Sequence, residues 1–113
     1  MSDSKITVSL QRKELRLSLS SGTIHTFPVA IGKPETPTPK GQWLIQNKKI
    51  LPDREVFGAY WLGLSIPGYG IHGTNQPLSI GKAVSGGCIR MHNRDIQYVF
   101  EHVTIGTPVI IAD

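Results

Sequence analysis

His72-Gly-Thr74 and, sixteen residues after that histidine, a cysteine within Ser85-Gly-Gly-Cys88-Ile-Arg90-Met91 are the stretches whose types and spacing suit nucleophilic chemistry. Cysteine catalysis needs a thiolate, an imidazole to take the thiol proton, and backbone N–H groups turned toward a developing oxyanion. All three parts are available here. Gly86 and Gly87 permit a sharp turn with no Cβ in the way, so the N–H groups of Gly87 and Cys88 can point into a site. The same residues have a plainer reading, in which Cys88 is a small buried apolar side chain and His72 is hydrogen-bonded beside it. Spacing alone leaves both readings standing.

Three other patterns carry less. Gly68-Tyr-Gly70-Ile-His-Gly73 satisfies G-x-G-x-x-G, but no helix opens at its third glycine. The positions about 20 residues on are Asn93 and Arg94, with Asp95 the nearest acid, so a dinucleotide site is not supported. Ser79-Ile-Gly-Lys82 fits S-x-x-K without the companion S-D-N and K-T-G patterns. Cys88, His92, His102 and His72 match no standard zinc spacing, and neither a metal nor another cofactor is expected.

The elements that must position these residues are mostly strands. Ile6, Val8 and Leu10, then Leu15, Leu17 and Leu19, alternate with polar residues, which predicts two half-buried strands joined by a turn at Gln11–Glu14. Ser20-Ser21-Gly22 turns into a third strand, Thr23–Ile31, where Pro28 suggests an edge or a bulge. An antiparallel meander is the simplest arrangement. The proline-rich segment Gly32–Gly41 is an extended loop, and Gln42–Ile50 and Tyr60–Ser65 read as strands around a loop at Leu51–Gly58. Gly70–His72 is a short strand, Gly73–Gly87 a long loop, and Cys88–Met91 strand-like. One segment has helical period: Ile96, Val99, Phe100 and Val103, with Asn93 as N-cap. Gly106-Thr-Pro108 leads into a last strand, Val109–Ala112, whose unbroken apolar run suits a buried central position.

With 113 residues and 12.4 kDa the chain reads as one domain, 1–113, with 39% apolar and 18% charged residues to build its core. One cysteine excludes an intramolecular disulfide. Twelve basic against eight acidic side chains leave a net charge of +4, which favours anionic surroundings without naming a partner. No apolar run reaches the roughly 20 residues of a bilayer-spanning helix. Met1–Lys5 lacks the pattern of a secretory signal, so the chain either stays inside or has lost a leader.

Taken together, His72-Gly73-Thr74, the gap of sixteen and Ser85-Gly-Gly-Cys88-Ile-Arg90-Met91 resemble the signature of the L,D-transpeptidase catalytic domain (YkuD type): H-G-T, a loop, then S-x-G-C-I/V-R-M/L. The likeness covers nearly the whole chain. Thr36-Pro-Thr-Pro-Lys-Gly41 looks like the family's T-P-x-G, and Phe57-Gly-Ala-Tyr60-Trp61 is also similar. One departure is Gly86, where many members have histidine, so any positioning role of that second histidine is missing.

The resemblance implies a mostly β, β-sandwich-like catalytic fold with one clear α-helix at about residues 94–103. It implies acyl transfer on peptidoglycan stem peptides, with Cys88 the nucleophile, His72 the base and the Gly73 carbonyl orienting the imidazole. The thiolate attacks the third residue of a tetrapeptide stem, releases D-alanine, and passes the acyl group to the side-chain amine of a second stem. Water as acceptor would make the protein an L,D-carboxypeptidase, and a catalytically silent wall-binding module is the remaining alternative. Arg90, on the strand face of Cys88, suits carboxylate recognition or bracing of the loop, against an ordinary surface ion pair. Ser85 and Gly86 belong to the same substrate-binding motif. Tyr60, Trp61 and Tyr69 are candidates to wall a peptide groove, with core packing the alternative, and alternation puts one of Tyr60 and Trp61 in the core. Thr74 and Asn75 could hydrogen-bond substrate. His25 is expected to be exposed, and His102 to favour the dipole at the helix C-terminus. Carbapenem-type β-lactams are the expected inhibitors, the cell envelope (periplasm, wall or spore) the expected location, and neither nucleic acid nor a membrane span is expected.

Overall fold

The computed structural model describes residues 4–51 and 57–113. Strands β1 (Lys5–Ser9) and β2 (Glu14–Ser18) pair antiparallel in the register that places Ile6 beside Leu17 and Val8 beside Leu15. These four side chains are fully buried while their neighbours are not, as period two requires. Strand β3 (Ile24–Gly32) continues the meander and changes partner along its length. Up to Pro28 it pairs with β2; Val29 and Ala30 pair with β8 (Ile89–Met91), and its end pairs in parallel with β7 (Ala83–Ser85). The change falls just after the proline, which has no N–H to give a continuing ladder.

Strands β4 (Gly41–Ile50), β5 (Tyr60–Leu64), β6 (Gly70–His72) and β9 (Pro108–Ala112) complete the sheet in the order β2-β1-β9-β4-β5-β6-β8-β3. Pairing between β2 and β3 then joins the two ends of that order, and β7 is attached to β3. The result is mostly β with one α-helix, as expected, but closed into an eight-stranded barrel and not the sandwich-like arrangement the resemblance implied. Closure leaves none of the eight with an unpaired edge. Alternation along single strands is the same in either arrangement, because it records which face is buried and not whether the sheet closes.

Helix α1 (Asn93–His102) packs on β5 and β6, burying Ile96 and Val99 in the same core as Leu62, Ile71 and Ile89. Its N-cap is His92, not Asn93, and no side chain caps it; Asn93 Oδ1 is engaged elsewhere. The C-terminal end is tethered instead by Lys48 on β4, whose Nζ donates to the Phe100 and Val103 carbonyls at 2.7 Å each and lies 4.4 Å from the centre of the Phe100 ring. Burial lowers the Lys48 pKa.

Three further expectations change. The loop from Gly73 to Gly87 contains a 3-10 turn at Pro77–Ser79 as well as β7. In β9 only Val109 and Ile111 are core residues; Ile110 is half-buried, although the strand does lie between β1 and β4. His25 is half-buried, with its Nε2 2.9 Å from the Tyr98 hydroxyl. Positions 52–56 of the expected Leu51–Gly58 loop and residues 1–3 lie outside the described residues. Among the described residues, no helix is long and apolar enough to cross a membrane.

Candidate active site

Three neighbouring strands set Trp61, His72 and Arg90 in register, Trp61 opposite His72 across β5–β6 and His72 opposite Arg90 across β6–β8. In-register residues project from the same face of a sheet, so these form a row. The Trp61 indole accordingly stacks on the His72 ring, 5.4 Å between centroids at 9°. Phe57 meets the same imidazole edge-on at 4.8 Å. Cys88 lies in the bend just before β8, outside the strand expected over Cys88–Met91, and joins Arg90 in the cleft. A cleft of about 170 Å³ is lined by Phe57, His72, Ser85, Gly86, Cys88 and Arg90.

Loops fix what the strands bring together. His72 Nδ1–H donates to the Gly73 carbonyl at 2.5 Å, which leaves Nε2 as the ring's acceptor. The turn before Cys88 is organised by Ser85, whose hydroxyl donates to the Cys88 carbonyl (2.6 Å) and accepts from the Gly87 N–H (3.0 Å). The Ser85 carbonyl is held in turn by Thr36 Oγ1 and the Lys33 N–H. The proline-rich loop therefore acts as a buttress for the cysteine turn. Gly87 has φ of +122°, and a Cβ there would come within 2.6 Å of the Tyr69 ring, so this position requires glycine twice over. At Gly86 a Cβ would meet nothing within 4 Å.

The electrostatics favour a neutral pair. His72 is only 3% exposed, and burial lowers its pKa to about 4; the Gly73 hydrogen bond opposes this and the Arg90 charge adds to it. Burial raises the pKa of the half-buried Cys88 thiol, against smaller stabilising contributions from the Gly70 backbone and Arg90. At neutral pH the site therefore holds a thiol and an uncharged imidazole. The thiol itself donates to the Gly68 carbonyl at 3.8 Å.

Of the residues singled out from sequence, His72, Ser85, Gly86, Cys88 and Arg90 meet in the cleft, with Gly73 behind His72. Several others do different work. Thr74 is buried, its N–H bonded to Asn93 Oδ1 and its hydroxyl accepting from the Gln76 N–H, so it is not free to face a substrate. Ser85 is 2% exposed and its hydroxyl is spent on the turn. The Gly87 N–H, expected at an oxyanion, is taken by that same hydroxyl. Tyr60 packs on Phe100 of α1, away from the cleft, while Trp61 is the outward member of the pair and covers the imidazole. Tyr69 packs over Gly87, and exposed Asn75 lines a neighbouring groove with Gln76 and Lys82. Arg90 Nη1 reaches the Gln76 side-chain oxygen at 3.4 Å, a loose tie and not an ion pair. Asn93 and Gln76 were not picked out for the site, because neither lies within a catalytic pattern and both contacts depend on the tertiary fold.

The structure is thus a closed barrel with a buried imidazole and a thiol lining one cleft. The family model of the L,D-transpeptidase catalytic domain (YkuD) matches residues 3–111, and the chain belongs to that family. The L,D-transpeptidase-family protein YkuD of Bacillus licheniformis is 52% identical over 108 residues, which are 96% of this chain and 65% of that protein. The chain thus spans slightly less than two thirds of this relative's length. The catalytic domain of an L,D-transpeptidase from E. faecium superposes with a TM-score of 0.80 at 27% identity, covering 99% of this chain and 98% of that one. An LD transpeptidase solved in complex with imipenem shares the fold, with a TM-score of 0.84 at 22% identity over 98% of this chain and 59% of that one.

Proposed function

We propose that the protein is a peptidoglycan L,D-transpeptidase that works through a Cys88 thioester in the cell envelope. The observation that carries this reading is His72, held by the Gly73 carbonyl so that Nε2 is its acceptor, in one cleft with Cys88. Sulfur attacks the carbonyl of the third residue, a diamino acid, of a tetrapeptide stem while its proton passes to Nε2. The tetrahedral oxyanion is met by the Cys88 N–H, the Gly87 N–H being committed to Ser85. Collapse breaks the bond to the terminal D-alanine, whose amine leaves with the proton from His72. The side-chain amine of a second stem then attacks the thioester, giving a 3–3 cross-link and restoring the thiol. Arg90 lies beside both reacting groups and supplies a fixed positive charge for a substrate carboxylate.

The family membership and the imipenem complex of a protein that shares the fold support β-lactams of the carbapenem type as inhibitors, and on this reading they acylate Cys88. The test is product analysis with purified tetrapeptide stems. Free D-alanine together with a cross-linked dimer is expected. D-Alanine with tripeptide and no dimer would make the protein an L,D-carboxypeptidase, and no release at all would leave a silent binding module.

A further inference from the structure

The peptide group between Gly73 and Thr74 is gripped at both ends. Its carbonyl accepts the His72 Nδ1–H at 2.5 Å, and its N–H, that of Thr74, donates to Asn93 Oδ1 at 2.9 Å. An amide is rigid and planar, with its C=O and N–H pointing in opposite directions, so fixing one end fixes the aim of the other. Hydrogen bonds in such a chain also polarise one another: an N–H that donates makes its own carbonyl a better acceptor.

The place of Asn93 is built. It opens helix α1 yet does not cap it. Its side-chain oxygen instead sits between two glycines: a Cβ at Gly58 would come within 2.5 Å of Oδ1, and one at Gly73 would collide with it. The helix is held at its other end by Lys48 and through its middle by Ile96 and Val99, so the first residue of α1 is delivered to a defined point behind the histidine.

We infer that Asn93 is a positioning residue for His72, acting through the Gly73–Thr74 peptide group as the third member of a relay, Asn93 Oδ1···H–N–C=O···H–Nδ1 His72. In cysteine enzymes where a side-chain amide bonds the histidine directly, it fixes one ring nitrogen as the donor and leaves the other facing the sulfur. Here the same task is passed through one backbone amide. The inference rests on the reading of His72 as the base, and it concerns a residue that touches neither substrate nor sulfur. The ionisable groups that face His72 are Arg90 on β8 and Cys88 in the turn before it, and Arg94 lines the groove that Asn93 also lines.

The test uses Asn93→Ala and Asn93→Asp with two readouts. Nitrogen NMR of the His72 ring needs no turnover: the unaltered protein is expected to be Nδ1-protonated at neutral pH, and Asn93→Ala to populate both tautomers. In the pH profile of D-alanine release, Asn93→Ala should lower kcat roughly tenfold or more with KM within about twofold. Asn93→Asp keeps the acceptor and adds negative charge, so it should recover much of kcat and move the acidic limb upward by about half a pH unit or more. A single Nδ1–H tautomer in folded Asn93→Ala, or an acidic limb unmoved by Asn93→Asp, overturns the relay. If Asn93→Ala does not fold, the Asn93→Asp limb decides. An unaltered protein that releases no D-alanine refutes the base reading, and the ring tautomers of the two variants still decide the relay.

Discussion

At His72, burial, with the Arg90 charge adding to it, outweighs a carbonyl that favours the protonated ring. The ring lies under Trp61 and Phe57, its charged form loses solvation, and the folded pKa falls from 6.5 to about 4. Between those values the unfolded chain binds a proton that the folded protein does not. Stability therefore rises with pH through this window and is lost as pH falls from about 6.5 toward 4, by up to about 3 kcal/mol. His72→Gln should flatten that dependence in thermal or urea melts. Parallel losses in the two proteins over this range would place the acid sensitivity elsewhere. The same shift leaves the imidazole unprotonated at neutral pH, the state the proposed base requires.

At the scale of elements, the site is a row of residues on three strands plus two loops tied down from outside. Helix α1 matters here because it carries Asn93, and Lys48 holds the helix. Lys48→Met loses two charge-assisted hydrogen bonds while keeping most of the apolar stem. It should cost about 2 kcal/mol in denaturant unfolding and lower the rate of D-alanine release through a loosened α1. Unchanged stability would mean that packing by Ile96 and Val99 alone seats the helix. The strands around this site were legible in sequence because period two and period 3.6 record which side chain faces the core, and every long strand except β3 hands its register to a single partner on each side. Barrel closure and β7 were not legible: each depends on a pairing between segments distant in sequence, and a three-residue strand has too little pattern to read. The same holds at the site. His72, Gly73, Cys88 and Arg90 stand out by type and spacing. The duties of Ser85, Thr74 and Asn93 are hydrogen bonds to backbone groups, which composition does not mark, and a serine in the cysteine motif reads as a substrate contact until its hydroxyl is seen holding the turn.

The whole molecule supplies a rigid frame and very little redundancy. Eight strands paired in a ring give the cleft walls that share one core, so the row Trp61–His72–Arg90 cannot shift without moving the barrel. The chain carries one cysteine, which means that any thiol-directed change in mass reports on Cys88 alone. With no second thiol in this sequence, the proposed nucleophile has no cysteine partner here for an internal disulfide. The proposed chemistry accordingly stands or falls on one atom, and intact-mass spectrometry after incubation with imipenem, followed by peptide mapping, tests it most directly. The account predicts one adduct per chain, located on Cys88, absent from Cys88→Ala and formed more slowly by His72→Gln. An unmodified Cys88, or an adduct mapped to Ser79, would contradict it.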